Sequence, residues 1–246
     1  MNLLKYETYL MNRNYRVICG VDEAGYGASA GDLVACAIAM RKEDYLDVVK
    51  IHWKKHFIND SKQVPKLARE NMYAMILDTC YAVGIGRVDV SEINHMRNIR
   101  KAGLLARYRA VTNLARSDRH DHMGWHAKDQ NIEYAKKFNI PYKSVTPSYI
   151  LVDGDTGMPE IKNIPVKSIV DGDAKSITIA AASIIAKVYR DRHMMDLDDL
   201  YPQYGFKSNA GYAVKYHRAA LKKHGVTPYH REYFKDVKES IQGELF

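Results

Sequence analysis

Four carboxylates stand where short apolar segments end. Asp22 and Glu23 follow the run at 15–21 (Y-R-V-I-C-G-V), Asp153 follows 149–152, and Asp173 follows 164–170 by way of Asp171 and Gly172. Runs of this length and β-branched content read as buried strands, and the ends of neighbouring strands converge in space. Acids brought together in this way repel one another unless cations neutralise them, and a donor set made only of oxygen suits Mg2+ or Mn2+. Two such ions can drive phosphodiester hydrolysis, one activating a water and both stabilising the attacking and leaving oxygens of an in-line displacement. A plainer reading is that the Asp-Gly pairs at 153–154 and 171–172 are turns, and Asp155 and Asp171 compete with their neighbours for the assignment. Pattern alone leaves both readings open. A calcium loop is excluded, because its twelfth position would be Ile164 or Ala182, neither of which can ligate calcium.

Other residue groups invite chemistry that their surroundings argue against. Gly27-Ala28-Ser29-Ala30-Gly31 is a literal G-x-S-x-G, yet acids precede it and a strand-like run follows, where a nucleophile elbow needs strand then helix. The glycines at 25, 27 and 31 are spaced one residue too long for a dinucleotide fingerprint, so they read as permitting close backbone approach. His120, His122 and His126 have a spacing that could hold zinc, although an exposed loop explains them as well. Lys62, Lys175, Lys187, Arg190 and Arg192 could contact phosphates or merely solvate a surface. Tyr189, Tyr201, Tyr204 and Tyr212 could stack on nucleotides or fill a core.

The elements that must position these residues follow an α/β alternation. With 246 residues, 46% apolar and 27% charged, the chain can bury one large core, which excludes extended disorder. Further strands are expected at 33–40 and 81–88. A helix starts near Pro65 with Leu67, Met72, Met75, Ile76 and Thr79 on one face. A second, capped by Ser91, carries the stripe Ile93, Ile99, Leu104, Leu105, Tyr108, Val111 and Leu114. The segment 116–148 is polar and histidine-rich, with a helical pattern at 127–138, and reads as an insertion. A long helix at 176–200 has an alanine-isoleucine half expected to be buried and a charged half expected to be solvated, and a last helix covers about 212–224. Cys19, Cys36 and Cys80 lack C-x-x-C spacing, which fits a reducing cytosol. The first sixteen residues carry charges where a signal peptide would be apolar, so a cytoplasmic protein with no membrane partner is expected. Lys and Arg number 37 against 29 Asp and Glu, a net charge of +8 that favours a polyanionic partner.

Taken together, V-D-E-A-G-Y-G-A-S-A-G (21–31), D-S-K (60–62), V-D-G (152–154), G-D-A-K-S-I-T-I-A-A-A-S-I-I-A-K-V-Y-R-D-R (172–192), Y-P-Q-Y-G-F (201–206), G-Y (211–212) and T-P-Y-H-R (227–231) closely resemble ribonuclease HII. The blocks appear in family order over roughly residues 16–238. The resemblance implies an RNase H-like α/β fold, a mixed sheet flanked by helices with a helical C-terminal extension. The catalytic part would span 14–200, and residues 201–240 would complete the substrate groove. It implies a monomeric endonuclease that hydrolyses RNA in RNA/DNA hybrids, or incises at ribonucleotides embedded in DNA, leaving 5′-phosphate and 3′-hydroxyl ends. It assigns Asp22, Glu23, Asp153 and Asp173 as catalytic metal ligands for Mg2+ or Mn2+. Gly25, Tyr26 and Gly27 would read the 2′-hydroxyl through backbone groups, Lys62 and Lys175 would face the nucleic acid, and Tyr212 would stack at the RNA-to-DNA junction.

Three departures from the family pattern stand out. Tyr26 replaces the usual arginine, which removes a guanidinium fork from the ribose-reading turn. Ser208-Asn209-Ala210 replaces a more basic approach to Gly211-Tyr212, and Asp171 stands where lysine is common. The alternative to an enzyme is an inactive hybrid-binding protein of the same fold, against which all four acids argue. The final residues Gln242-Gly243-Glu244-Leu245-Phe246 read Q-x-x-L-F. This resembles the peptide by which replication and repair proteins hold a sliding clamp, with Gln242 making polar contacts and Leu245 and Phe246 filling an apolar pocket.

Overall fold

The computed structural model describes residues 3–45, 65–115, 145–159 and 161–243. Lys62, His120, His122, His126, the 127–138 pattern, Leu245 and Phe246 lie outside the described residues, as does the expected insertion apart from 145–148.

Five strands form one mixed sheet. β1 (Val17–Ala24) pairs antiparallel with β2 (Leu33–Arg41), which pairs antiparallel with β3 (Ala82–Val88). On its other edge β1 runs parallel to β4 (Tyr149–Asp153), itself parallel to β5 (Val166–Ile169), giving the order β3-β2-β1-β4-β5. Helices α1 (Lys5–Asn12), α2 (Lys66–Thr79), α3 (Val90–Met96), α4 (Ile99–Ala115) and α5 (Ile177–Leu200) surround it. Beyond them come α6 (Lys215–His224) and α7 (Lys235–Gly243), a helical C-terminal extension. This is the expected class. No helix among the described residues is long and apolar enough to cross a membrane.

The strand period of two divides β2 between two cores. Val34, Cys36, Ile38 and Met40 pack with α5, whereas Leu33, Ala35, Ala37 and Ala39 pack with the α4 side. The second face is made of small residues, and α4 comes close enough to use it. A Cβ on Gly84 would lie 2.1 Å from the Ala110 carbonyl, and one on Gly86 1.9 Å from that of Ala106. The buried ridge of α4 is therefore Ala102, Ala106 and Ala110 with Val111 and Leu114, while Leu104, Leu105 and Tyr108 are only half-buried. The expected leucine stripe missed this because backbone-to-backbone packing selects alanine over leucine.

Local signals were otherwise mixed. α2 begins after Pro65 as expected and buries Met72 and Ile76, but Leu67 is exposed. The cap of α3 is Asp89, not Ser91: Asp89 accepts from the Glu92 N–H and Glu92 accepts from the Asp89 N–H, a reciprocal capping box. Arg97, in the left-handed region, separates α3 from α4. Ser176 caps α5. Helices α1 and α7 were not anticipated, and the helix expected from 212 starts at Lys215. In α1, Leu10 and Met11 enter the core, and buried Glu7 accepts from the Ser176 and Thr178 hydroxyls at the start of α5.

The charged half of α5 is solvated on one face only, where Asp196 and Asp199 are exposed. Arg190, His193, Met194 and Leu197 are buried beneath the C-terminal segment, where Tyr204, Phe206, Leu221 and Val237 form a third core with Met194, Leu197 and Ala30.

Candidate active site

The sheet brings two of the four acids side by side. The parallel register ends with Val21 opposite Val152, so the next residues, Asp22 and Asp153, are neighbours at adjacent strand ends. Both follow the alternation onto the face covered by α5, where Ser183 hydrogen-bonds Asp22. Asp22 Oδ1 also accepts from the Glu23 N–H at 2.7 Å. Asp153 Oδ1 accepts from the Gly172 N–H at 2.6 Å, which ties β4 to the single 3-10 turn Gly172–Ala174 that carries Asp173. Asp173 is buried, whereas Asp171 and Asp155 are exposed, and this separates the competing acids.

Glu23, one residue on from Asp22, follows the pleat to the opposite face. There it meets Arg107 of α4, whose Nε and Nη2 donate to its two oxygens at 2.7 and 2.8 Å. Among the described residues no three His, Cys, Asp or Glu side chains already stand as a metal-holding group. The donor chemistry nevertheless fits a hard divalent cation. Burial first, then the charges of Glu23 and Asp153, hold the Asp22 carboxyl well above the usual carboxylate range, an excess of negative charge that a cation with oxygen ligands relieves.

The glycine-rich turn is held from below by two arginines that the sequence reading did not assign to this task. Arg231 donates through Nη1 to the Gly25 carbonyl at 2.7 Å and through Nη2 to that of Gly31 at 2.8 Å. Arg190 donates to the carbonyls of Asp32, Ala30 and Ala210 at 3.0, 2.9 and 2.8 Å. Both are fully buried, so Arg190 is no phosphate contact. Gly25 has φ +93°, and a Cβ there would lie 2.0 Å from Arg190 Nε; only glycine allows this approach. Since the peptides of the described residues are all trans, turning the Gly25 and Tyr26 carbonyls onto Arg231 points the N–H groups of Tyr26 and Gly27 the other way, out of the turn. The T-P-Y-H-R block that contains Arg231 was the available signal. Asp32, beneath the turn, accepts from Arg87 and from the Val90 N–H. Burial opposes its charge, but His193 and Arg87 hold its carboxyl below the usual range.

Two exposed tyrosines flank this turn. Tyr26 lies against Gly103 and shares a shallow pocket with Arg100, Leu104, Arg107 and Thr156, so guanidinium groups stand beside it even though position 26 lacks one. Tyr212 stands on the other side, with Gly27 opening toward it and Arg190 5.9 Å below its ring. Tyr189 and Tyr204 are buried and belong to the core. Lys187 and Arg192 pair with Asp191 and Glu70. Lys175 donates to the Val170 carbonyl at 2.6 Å, at the rim near Asp173. In the 208–210 departure, Asn209 donates to the Tyr204 carbonyl and accepts from the Gly211 N–H, so it shapes the approach to Tyr212. Past it, α6 exposes Lys215, Tyr216, Arg218, Lys222 and Lys223, a basic face with aromatic interleaving suited to a polyanion.

A pair of buried histidines supports Tyr212 from within. The Thr227 N–H donates to His230 Nδ1 at 2.9 Å, His230 Nε2 lies 3.1 Å from His217 Nε2, and His217 Nδ1 lies 3.0 Å from the Tyr212 carbonyl. The chain is satisfied only when both rings are neutral, with protons on His230 Nε2 and His217 Nδ1. Burial, then His217, push His230 down to about 4, and burial lowers His217 as well, against opposing contributions from its hydrogen bond to the Tyr212 carbonyl and from Asp236. Because the folded values lie below the unfolded one, the pair's contribution is fully present above the unfolded value and is lost as pH falls through the folded one. The thermal midpoint should therefore drop as pH goes from about 6.5 to about 4, and His230→Gln should flatten that drop. Parallel melting curves for the two proteins across this range would refute the assignment.

The ribonuclease HII family profile matches residues 19–237. Ribonuclease HII of Magnetococcus marinus is 40% identical over 230 residues, covering 94% of this chain and 90% of the relative. That of Enterococcus faecalis is 36% identical over 238 residues, covering 96% and 76%. Among solved structures, ribonuclease H2 from Pyrococcus horikoshii OT3 has a TM-score of 0.63 at 22% identity, over 92% of this chain and 98% of that one. The RNase HII in a PCNA:RNase HII complex from Archaeoglobus fulgidus has a TM-score of 0.61 at 23% identity, over 89% and 95%. Bst-RNase HIII in complex with Mn2+ has a TM-score of 0.63 at 16% identity, over 93% and 70%. These three establish the likeness of fold. The profile and the curated relatives run nearly end to end and pass through all four acids, the glycine-rich turn and the T-P-Y-H-R block, and on that ground the chain belongs to the ribonuclease HII family of ribonuclease H endonucleases.

Proposed function

We propose that this protein hydrolyses the RNA strand of RNA/DNA hybrids, and incises at ribonucleotides embedded in duplex DNA, leaving 5′-phosphate and 3′-hydroxyl ends. The observation that carries the reading is the adjacency of Asp22 and Asp153 at parallel strand ends, below a turn whose backbone N–H groups point outward. Asp22, Glu23, Asp153 and Asp173 would hold two divalent cations, Mg2+ or Mn2+, which when bound supply water activation and charge neutralisation at the attacking and leaving oxygens. The chain's own residues do the rest. The outward N–H groups of Tyr26 and Gly27 bind the 2′-hydroxyl, which distinguishes RNA from DNA. Tyr212 stacks on a base at the junction. Lys62 and Lys175 attract the phosphates, and the basic face of α6, within the 201–240 part, extends the duplex track.

Tyr26 bears on substrate preference. A tyrosine offers the ribose-reading turn a stacking surface and one hydroxyl where a guanidinium would offer a fork, so long hybrids should be cleaved faster than a lone ribonucleotide. The test is one assay, with both duplexes incubated with and without Mg2+ or Mn2+. Divalent-dependent cleavage of the hybrid is expected; binding of both duplexes with no cleavage under either ion would instead favour an inactive hybrid-binding protein.

The Q-x-x-L-F terminus supports a second proposal, docking of a cytoplasmic monomer on a sliding clamp, and the PCNA complex of the Archaeoglobus fulgidus protein is consistent with it. Deleting residues 242–246 should abolish binding to the host's clamp, measured by surface plasmon resonance, while short-substrate cleavage stays unchanged. Undiminished clamp binding by the truncated chain would remove the proposal.

A further inference from the structure

Glu23 is already engaged. Arg107 Nε and Nη2 donate to its two oxygens at 2.7 and 2.8 Å, and side-chain exposures of 9% for the arginine and 11% for the glutamate keep the pair largely out of water. A bidentate fork of this kind is among the stronger polar contacts a protein makes, and it fixes both the position and the plane of the carboxylate. Each carboxylate oxygen has two lone-pair sites, so the fork leaves donor capacity on Glu23 while determining where that capacity lies. The same guanidinium lies in the field of Asp22 and Asp153 as well. It is thus the positive charge at the floor of the acid cluster, delivered by α4 from the sheet face opposite the one where Asp22 meets Ser183.

We propose that Arg107 is a positioning residue for the reaction: a built-in counter-ion that holds Glu23 in its ligating position before any metal arrives and sets, by charge competition, the divalent-ion concentration the site requires. This rests on the reading of Glu23 as a metal ligand. Two opposed effects follow from elementary electrostatics. Without metal, the guanidinium offsets a cluster that would otherwise repel itself and destabilise the fold. With metal, it repels the incoming cation through a poorly solvated region, where charges interact more strongly than in water. Its net effect is a protein that stands folded without metal and binds metal less tightly than four bare acids would.

The test uses the full-length protein with Arg107→Met, Arg107→Lys and Glu23→Gln variants. Thermal midpoints are read against Mg2+ and Mn2+ concentration without nucleic acid, and hybrid-cleavage rates are read against the same ions. Arg107→Met should melt lower than wild type without metal, gain more from added metal, and reach half-saturation at about tenfold lower ion concentration. Arg107→Lys keeps the charge but loses the fork, so its half-saturation should stay within about twofold of wild type while its cleavage rate at saturating metal falls. A metal-induced stabilisation of Arg107→Met no larger than that of wild type overturns the proposal. If Arg107→Met does not fold, Arg107→Lys decides alone: a half-saturation shifted about tenfold would mean that charge is not what matters. Glu23→Gln separates the two levels, because an unchanged metal titration in that variant would remove Glu23 from the ligand set itself, whatever Arg107 does.

Discussion

Asp153→Asn should lower divalent-dependent cleavage of an RNA/DNA hybrid by several orders of magnitude while leaving the protein folded. The substitution keeps an acceptor in place for the Gly172 N–H, which donates to Asp153 Oδ1 at 2.6 Å, so the tie between β4 and the turn carrying Asp173 survives. What is lost is a charge. That charge is one of those holding the Asp22 carboxyl above its usual range, so without divalent ions the variant should melt at or above the wild-type temperature. Asp173→Asn should show the same loss of activity. The combination is diagnostic: a structural aspartate would lose stability along with activity, whereas a ligand loses activity and relieves repulsion. Cleavage within about tenfold of wild type would remove Asp153 from the catalytic set.

Arg190→Met should cost about 3–5 kcal/mol of stability, roughly a 10 °C fall in thermal midpoint for a chain of this size. Among the described residues no carboxylate is hydrogen-bonded to Arg190 in return for its burial. It donates to three backbone carbonyls, those of Asp32, Ala30 and Ala210, and its side chain fills the space beside Gly25. Methionine matches its length but orphans three acceptors, two of them fully buried. Relief from burying a charge offsets only part of this, because the unpaired carbonyls stay where the fold puts them. Since those carbonyls lie on both strands of contact between the glycine-rich turn and the approach to Tyr212, activity per folded molecule should fall as well. A midpoint within about 2 °C of wild type, measured by calorimetry, would mean that the turn does not hang on this arginine.

Much of this protein can be read from a few residues at a time. The five strands, the acids at their ends, Ser176 at the head of α5 and the buried alanine-isoleucine half of that helix all follow from periods of two and 3.6 and from short-range capping. Resemblance to the family's motifs added the roles proposed for Asp22, Glu23, Asp153 and Asp173 and for the turn at Gly25, Tyr26 and Gly27. Beyond that reach, the tertiary structure decided. The second half of α5 reads as solvated all round because the segment that buries Arg190 and His193 on one of its faces is not visible locally: Arg190 meets Ala30 across 160 residues, and Arg231 meets Gly31 across 200. The alanine ridge of α4 was invisible for a related reason, since its partners are glycines on β3 and a helix packs by leucines only when a gap must be filled. Adjacent Asp22 and Glu23 look like one unit in the sequence, yet the pleat sends them to opposite faces, one to Ser183 and the other to Arg107. Local periodicity determines which residues can be buried together; which charge sits beside which acid depends on contacts between distant segments, and those are selected only when the whole chain packs.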